Sequence, residues 1–516
     1  MASVSSQSLS RRRLVAILLS GLLLRLLFVL VVDPSYSNFG GDTSWLMTIG
    51  HDLLNGTLTV SPATGPGYLV FDGIIQALVG AERSLQVIRV LNAFMGTALC
   101  GFVYVLGARY FTERVGLWAA LMLAINPVFI IEAGNVLTES VFLSLLFGSF
   151  AFYAARQDRL DWRVLGSVGV LLGLATLTRA VSILLPLVFV VHIVYIHRKA
   201  ALQLVGALLV AYVVVVSAWS VYSVVRWNTF VIGAQGLAAN LYLGTTTWCG
   251  PGCVDQQAGI TQDSSNNQNV YVQGTFDAIR KDPVSYVRHR IENLLDAQLQ
   301  PYNTVYFPGE SIKALIVDWW SHGHSVSDLA RISQADYFAQ KLALYIFHFT
   351  ALLGGFIGLL FGIRQFCARL PLYGILAYFL VLHTALTAIP RYLLPIEPLW
   401  ILFAIYAAVT IVGPIRKGFT QTTVTDRAIK TPQPNLSRPL ALGQVMRSVF
   451  FTAVFLLFLH CTQRRKCCSI VIGQIGHDQH GITCMCISRH PGHSFGGRFD
   501  TVQLDRRKIR GLQSFT

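Results

Sequence analysis

The chain has 516 residues, 53% of them hydrophobic and 13% charged. Soluble domains carry roughly 25% charged residues, so a large soluble enzyme is excluded, and apolar runs without strict alternation exclude a β-barrel. The net charge of +15 is uneven: residues 415–516 hold fifteen Lys/Arg against four Asp/Glu, leaving only +4 on the preceding 414 residues, so the bulk of the chain has no nucleic-acid signature.

Reading from the start, Arg11, Arg12 and Arg13 precede an apolar run over 14–32 broken once by Arg25. Asp33-Pro34-Ser35-Tyr36 follows instead of a small-residue cleavage site, which predicts a retained first span. Nine further runs read as spans: 86–107, 115–131, 139–155, 164–178, 181–196, 201–222, 342–363, 370–388 and 392–413. Most reach the roughly 17–25 residues that a ~30 Å hydrocarbon layer requires at 1.5 Å per residue, with 164–178 and 181–196 just under it. An eleventh run, 448–460, is short. The expected fold is therefore an all-α polytopic membrane protein of about ten or eleven transmembrane helices.

Alternate connections collect the basic residues: Arg109 and Arg114, then Arg156, Arg159 and Arg163, then Arg198 and Lys199, then Arg364 and Arg369, then Arg416 and Lys417. By the positive-inside rule these lie in the cytoplasm. The opposite, extracytoplasmic side receives 33–85, the turns 132–138, 179–180 and 389–391, and one large loop over 223–341. The chain thus divides into a transmembrane module over 1–222, the loop 223–341, C-terminal spans over 342–414, and a basic tail over 415–516.

The first outer loop is patterned like surface helices. Trp45, Leu46, Ile49 and Leu53 recur at helical spacing after Gly40-Gly41-Asp42, and Pro66-Gly67-Tyr68 opens a second apolar stretch, so two interfacial helices are expected there. Cys249 and Cys253 in the large loop stand four apart and either pair or do not.

Charges at membrane level cost free energy and mark function. Asp42 reads as a helix cap or a catalytic acid. Asp33 reads as a hydrated helix end, Glu139 as an acid suited to a helix N-terminus, and Glu397 as the partner of some nearby arginine. Arg179 and Arg391 fall in short outer turns, against the charge trend. Either they snorkel or their guanidinium forks hold a phosphate on the side that carries the acids.

Taken in order, Gly41-Asp42, Pro66-Gly67-Tyr68, Thr138-Glu139, the stretch Gly173-Leu174-Ala175-Thr176-Leu177-Thr178-Arg179, and Arg391-Tyr392-Leu393-Leu394-Pro395 resemble the glycosyltransferase C superfamily. The branch is that of bacterial protein mannosyltransferase-like and aminoarabinose transferase-like enzymes, related to dolichyl-phosphate-mannose protein mannosyltransferases. Gly65 and Ala180 stand where that family often has proline.

The resemblance implies a sugar carried on a polyprenyl phosphate and moved to an acceptor hydroxyl on a protein, lipid or glycan, with inversion, at the outer face of the cell inner membrane. It makes Asp42 the catalytic base and Glu139 the second acid. Arg391, Tyr392, Arg179 and Tyr68 become substrate-binding residues. The resemblance fixes no cofactor, and a divalent cation is the one candidate, since the family's second acid sometimes holds one. Membrane lipids are expected partners and nucleic acid is not. The competing readings are a secondary transporter, for which the internal repeats usual in that class are not found, and a polyprenyl-lipid-binding protein without catalysis. In the tail, His477, His480, Cys484 and Cys486 fit no standard zinc spacing.

Overall fold

The computed structural model describes residues 2–34, 41–59, 61–198, 200–243, 268–323, 325 and 330–419. The expectations for Cys249 and Cys253, for the run 448–460 and for nearly all of the basic tail lie outside these residues. Contacts divide the chain into Met1–Val424 and a second unit, Thr425–Phe515, which is likewise outside them.

The described residues form helices and turns, with no strand among them. In chain order the helices are α1 (Ala2–Leu27, extended by a wider turn over Phe28–Val32), α2 (Gly41–Leu54), α3 (Pro66–Val79), α4 (Ala81–Tyr110), α5 (Glu113–Ile125), α6 (Pro127–Glu132), α7 (Glu139–Arg156), α8 (Trp162–Thr178), α9 (Pro186–His197) and α10 (Ala201–Trp227). From the outer loop onward come α11 (Leu237–Leu243), α12 (Gln268–Lys281), α13 (Pro283–Gln298), α14 (Ile312–Asp318), α15 (Phe338–Gly362), α16 (Leu370–Ala385), α17 (Pro390–Leu393) and α18 (Glu397–Phe419). The two expected surface helices are α2 and α3.

Each of the ten expected spans falls on helix, and seven helices among the described residues are long and apolar enough to cross a membrane. The other three fall short for local reasons. The run 115–131 is not one helix: Pro127 lacks the N–H a continuous helix needs, so α5 stops at Ile125 and Asn126 caps α6, its side chain accepting from the Val128 N–H at 2.9 Å. Helix α7 is bounded by Glu139 and Arg156, and α8 has 17 residues. The run 370–388 ends early, at Ala385, and the last span begins with the short turn Pro390–Leu393.

The break in α5 explains Arg25. Carbonyls in the last turn of a helix have no intrahelical donor. Arg25, fully buried, points its guanidinium at the carbonyls of Leu123 (3.2 Å) and Ala124 (3.1 Å), and at that of Gly21 in its own helix (3.0 Å). A charge inside the first span thereby does the work that a continuing helix would have done.

Two close backbone approaches set the site's frame. On α15, a Cβ on Gly358 would sit 1.9 Å from the Phe403 carbonyl, and one on Gly355 2.7 Å from that of Trp400. Only glycine lets α18 lie so near, as small-residue stripes do between membrane helices. At the start of α3, a Cβ on Gly65 would meet the Leu177 carbonyl at 2.2 Å, and one on Gly67 the Thr178 nitrogen at 2.9 Å. The outer loop is thus pressed against the last turn of α8, the turn that carries Arg179. A proline at position 65 would not fit this approach.

Candidate active site

Four charged residues from four elements converge at one end of the bundle. Asp42 lies in the first turn of α2, Glu139 opens α7, Arg179 follows α8, and Arg391 sits in α17. The Arg391 Nε and Nη2 donate to the two oxygens of Glu139 at 2.5 and 3.2 Å, while Nη1 donates to Asp42 Oδ2 at 2.6 Å. Arg179 Nη1 donates to Glu139 Oε1 at 2.6 Å. The result is an alternating chain, Asp42–Arg391–Glu139–Arg179, neutral in sum.

Burial grades along this chain. The Glu139 side chain is 1% exposed and that of Asp42 63%. Glu139 is therefore the hub that holds both arginines in place, and Asp42 is the acid open to solvent. Arg391 spends three of its five N–H donors on the two acids, which leaves two beyond that chain. Both arginines are tied into buried or half-buried ion pairs, so neither is a snorkelling anchor. Glu139 has both oxygens taken by guanidinium groups, Oε2 accepting also from the Thr138 hydroxyl at 3.2 Å. That environment does not fit a divalent cation at Glu139, and among the described residues no group of three or more His, Cys, Asp or Glu is gathered to hold one.

In front of the chain lies a cavity of about 320 Å³, lined by Asp42, Arg179, Arg391 and Tyr392 together with Trp45 and His383. Tyr392 forms part of its wall: the Arg179 guanidinium carbon lies 5.2 Å from its ring centre, and His383 stacks on it at 5.7 Å and 25°. Tyr68, the remaining residue of the resemblance, is placed elsewhere. Because Gly65 and Gly67 draw the start of α3 against α8, position 68 turns inward. Its ring is fully buried against Phe71 and packs with Leu46 and Leu53 of α2. Tyr68 supports the helix that carries Asp42 and does not line the cavity.

Other charges resolve differently from expectation. Asp33 is not a hydrated helix end; it is buried, paired with Arg89 at 3.2 Å and accepting from the Tyr306 hydroxyl at 2.5 Å. Glu397 pairs with His348 at 3.3 Å, not with an arginine. Behind the site a polar knot that sequence reading missed joins the large loop to the turn before Glu139. Asn135 donates to Glu132 (2.9 Å) and to Asn303 (3.0 Å), whose own amide donates to the Val128 carbonyl at 2.9 Å. Asn303 adopts φ +69°, a left-handed conformation that asparagine tolerates. An Asn in a polar loop gives no periodic signal, and only its fold neighbours reveal the role.

Residues 64–225 match the family model described as dolichyl-phosphate-mannose-protein mannosyltransferase. That stretch contains Glu139 and Arg179. No curated protein matches the chain. Among solved structures, the chain is similar to the archaeal oligosaccharyltransferase AglB from Archaeoglobus fulgidus, in complex with an inhibitory peptide and a dolichol-phosphate. The identity is 13% and the TM-score 0.47, over 88% of this chain and 55% of that one. The chain thus spans about half the length of that protein. It is also similar to ArnT from Cupriavidus metallidurans bound to undecaprenyl phosphate, at 16% identity and TM-score 0.36 over 78% of each chain.

Proposed function

We propose that the protein transfers a sugar from a polyprenyl phosphate to an acceptor hydroxyl, with Asp42 as general base and Arg391, supported by Arg179, as the cation that receives the leaving phosphate. The observation that carries this reading is the position of Arg391, which touches the exposed acid and the buried hub at once and faces a cavity with donors to spare. In the proposed step the acceptor oxygen attacks the anomeric carbon and its proton passes to an Asp42 oxygen. The bond from the anomeric carbon to the phosphate oxygen breaks, and polyprenyl phosphate leaves with the electron pair. A single displacement inverts the anomeric centre. A base contributes about 10²- to 10⁴-fold, and preorganised donors on a developing anion contribute a comparable amount.

The same reading puts the site on the extracytoplasmic face of a bacterial inner membrane or its equivalent. Its support is that the short basic connections all fall at the other end of the helices; Arg109 and Asp158, for example, form an ion pair there, between the ends of α4 and α7. The acceptor, whether protein, lipid or glycan, enters beside Asp42. A secondary transporter is disfavoured because the linked charges gather at helix ends and not at a midplane interface between repeats.

The test is transfer by purified protein in lipid with a labelled polyprenyl-phosphate sugar. Asparagine keeps the shape of aspartate in the first turn of α2 but takes no proton. Asp42→Asn should therefore fold normally and turn over about 10²- to 10⁴-fold more slowly, while the exposed Asp277→Asn serves as a control. An Asp42→Asn protein within a few-fold of wild type removes the base from this mechanism.

A further inference from the structure

His383 ends α16 in an apolar run, and nothing in the mechanism above uses it. Its side chain is nearly inaccessible to solvent yet lines the cavity that Asp42 and Arg391 face. Its ring is held in a stack: parallel to Phe379 within 11° at 6.2 Å, and on Tyr392 at 5.7 Å. Offset stacking at such distances fixes ring orientation. One ring nitrogen is committed. Nδ1 lies 3.2 Å from the Thr387 carbonyl, and a carbonyl oxygen only accepts, so the hydrogen of the neutral ring is on Nδ1. Thr387 is itself fixed, its hydroxyl donating to the Asn240 carbonyl at 2.7 Å, and Arg290 donates to the neighbouring Leu386 carbonyl at 3.1 Å.

Nε2 is then a bare acceptor, and among the described residues it has no hydrogen-bond partner. A buried acceptor left unmade costs on the order of 1–3 kcal/mol, and the ring that carries this one belongs to the cavity wall, so a donor entering there would relieve that cost. The neighbouring polar groups differ in character. Arg179 and Arg391 offer N–H donors suited to an anion, and the hydroxyls of Thr138 and Thr178 are spent on Glu139 and the Leu174 carbonyl. His383 Nε2 is suited to a neutral O–H donor. Tyr392 connects the two chemistries, touching His383 by stacking and Arg179 through its ring.

We infer that His383 is a specificity-determining residue of this cavity, its Nε2 accepting a hydrogen bond from a hydroxyl of the sugar carried on the phosphate. This rests on the reading of the site as one for a polyprenyl-phosphate sugar. It adds that the sugar, and not only the phosphate and lipid, is recognised, and by a neutral acceptor that selects for a hydroxyl over a hydrogen at one ring position.

The experiment measures binding of undecaprenyl phosphate and of its mannosyl, glucosyl and aminoarabinosyl derivatives to purified protein in lipid. The variants are His383→Phe, which keeps the stack and loses the acceptor, and His383→Gln, whose amide both donates and accepts. Wild type should bind one sugar lipid more tightly than undecaprenyl phosphate. His383→Phe should lose about tenfold of that preference with undecaprenyl phosphate binding unchanged, and His383→Gln should recover part of it. Equal losses for bare and sugar-bearing lipid in His383→Phe would make the ring a packing element and overturn the inference. So would a wild type that prefers none of the three sugars over the bare phosphate, although the phosphate site would stand. A wild type that does not bind undecaprenyl phosphate at all would instead remove the proposed function. If His383→Phe does not fold, singly deoxygenated forms of the preferred sugar are tested on wild type and His383→Gln. One such analogue should bind wild type about tenfold more weakly, with a smaller loss in the variant; a loss of the same size in both proteins overturns the inference.

Discussion

Replacing Glu139 by glutamine tests whether this residue is the structural hub of the charge chain. The Glu139 side chain is 1% exposed, and those of Arg179 and Arg391 are 11% and 21% exposed. Three N–H groups donate to its two oxygens, at 2.5, 2.6 and 3.2 Å. Glutamine keeps the shape but removes the charge, and it turns one acceptor into an NH₂ group aimed at a guanidinium. Breaking a buried pair from one side costs about 3–5 kcal/mol, because the partner charge remains buried. The Asp42–Arg391 pair uses the same arginine, yet its acid is 63% exposed, and exposed pairs contribute about 0–1 kcal/mol. Reversible unfolding of purified protein in mixed micelles should therefore show a loss of about 3–5 kcal/mol for Glu139→Gln and less than about 1 kcal/mol for Asp42→Asn. If Glu139→Gln stays within about 1 kcal/mol of wild type, or if Asp42→Asn costs as much, the burial-graded account of the quartet is wrong.

Further outcomes follow from the same geometry. Arg391→Ala should abolish transfer, and Arg391→Lys should keep only a fraction of it, since lysine has one nitrogen to offer where Arg391 bridges two acids; wild-type rates with Arg391→Lys would remove the bridge from catalysis. Arg25→Met should lower stability by about 1–3 kcal/mol by stranding the Leu123 and Ala124 carbonyls, read by the same unfolding titration. Burial raises the Asp72 carboxyl to about 6, a shift that its hydrogen bond from Gln76 only partly offsets. The folded state thus holds this proton more tightly than the unfolded chain does. The associated stability is full below about pH 4 and is lost as pH rises through about 6. Asp72→Asn should therefore be more stable than wild type at pH 7.5 and indistinguishable from it near pH 4. A cysteine at the exposed Arg280 of α12, in a background without other cysteines, should react with an impermeant reagent in intact spheroplasts; reaction only after permeabilisation would invert the orientation.

What the sequence made legible follows from what membranes penalise. Long apolar runs force helices, so seven of the spans and the two surface helices are readable from length and period, whereas the run 115–131, broken at Pro127, is not. Asp42, Glu139, Arg179 and Arg391 stood out because each is a charge where charge is costly, and the fold brings these four into one ion-pair chain. The partners of Asp33 and Arg25 could not be read. One is an arginine 56 positions away and the other a pair of carbonyls exposed by a proline break, and neither leaves a local pattern. The inward turn of Tyr68 leaves no mark in the sequence, because an aromatic at the mouth of a surface helix looks the same whether it faces a cavity or the core. His383 was invisible for the opposite reason: one polar ring among apolar neighbours is no anomaly until the cavity beside it is seen.

The placement of Arg391 also explains how one cation serves two acids during the proposed transfer. Before reaction the ionised Asp42 and the donor phosphodiester each carry one negative charge at the guanidinium. As the acceptor proton moves to Asp42, that carboxyl becomes neutral, and the departing polyprenyl phosphate becomes a monoester of about two negative charges. The total facing Arg391 does not change; it shifts from the Nη1 side toward the cavity. No second cation has to arrive, and the hub at Glu139, sealed from solvent, keeps its charge throughout. Such a site needs little reorganisation at the moment of reaction, which is the condition under which fixed dipoles and charges stabilise a transition state most effectively. Moving the base about one turn along α2, with Asp42→Asn and Trp45→Asp combined, keeps the same net charge on a position that lines the cavity but separates the acid from Nη1. This double variant should remain as inactive as Asp42→Asn alone. Recovery of transfer by relocation would mean that the contact between Asp42 and Arg391 is dispensable and that a carboxylate anywhere in the cavity suffices.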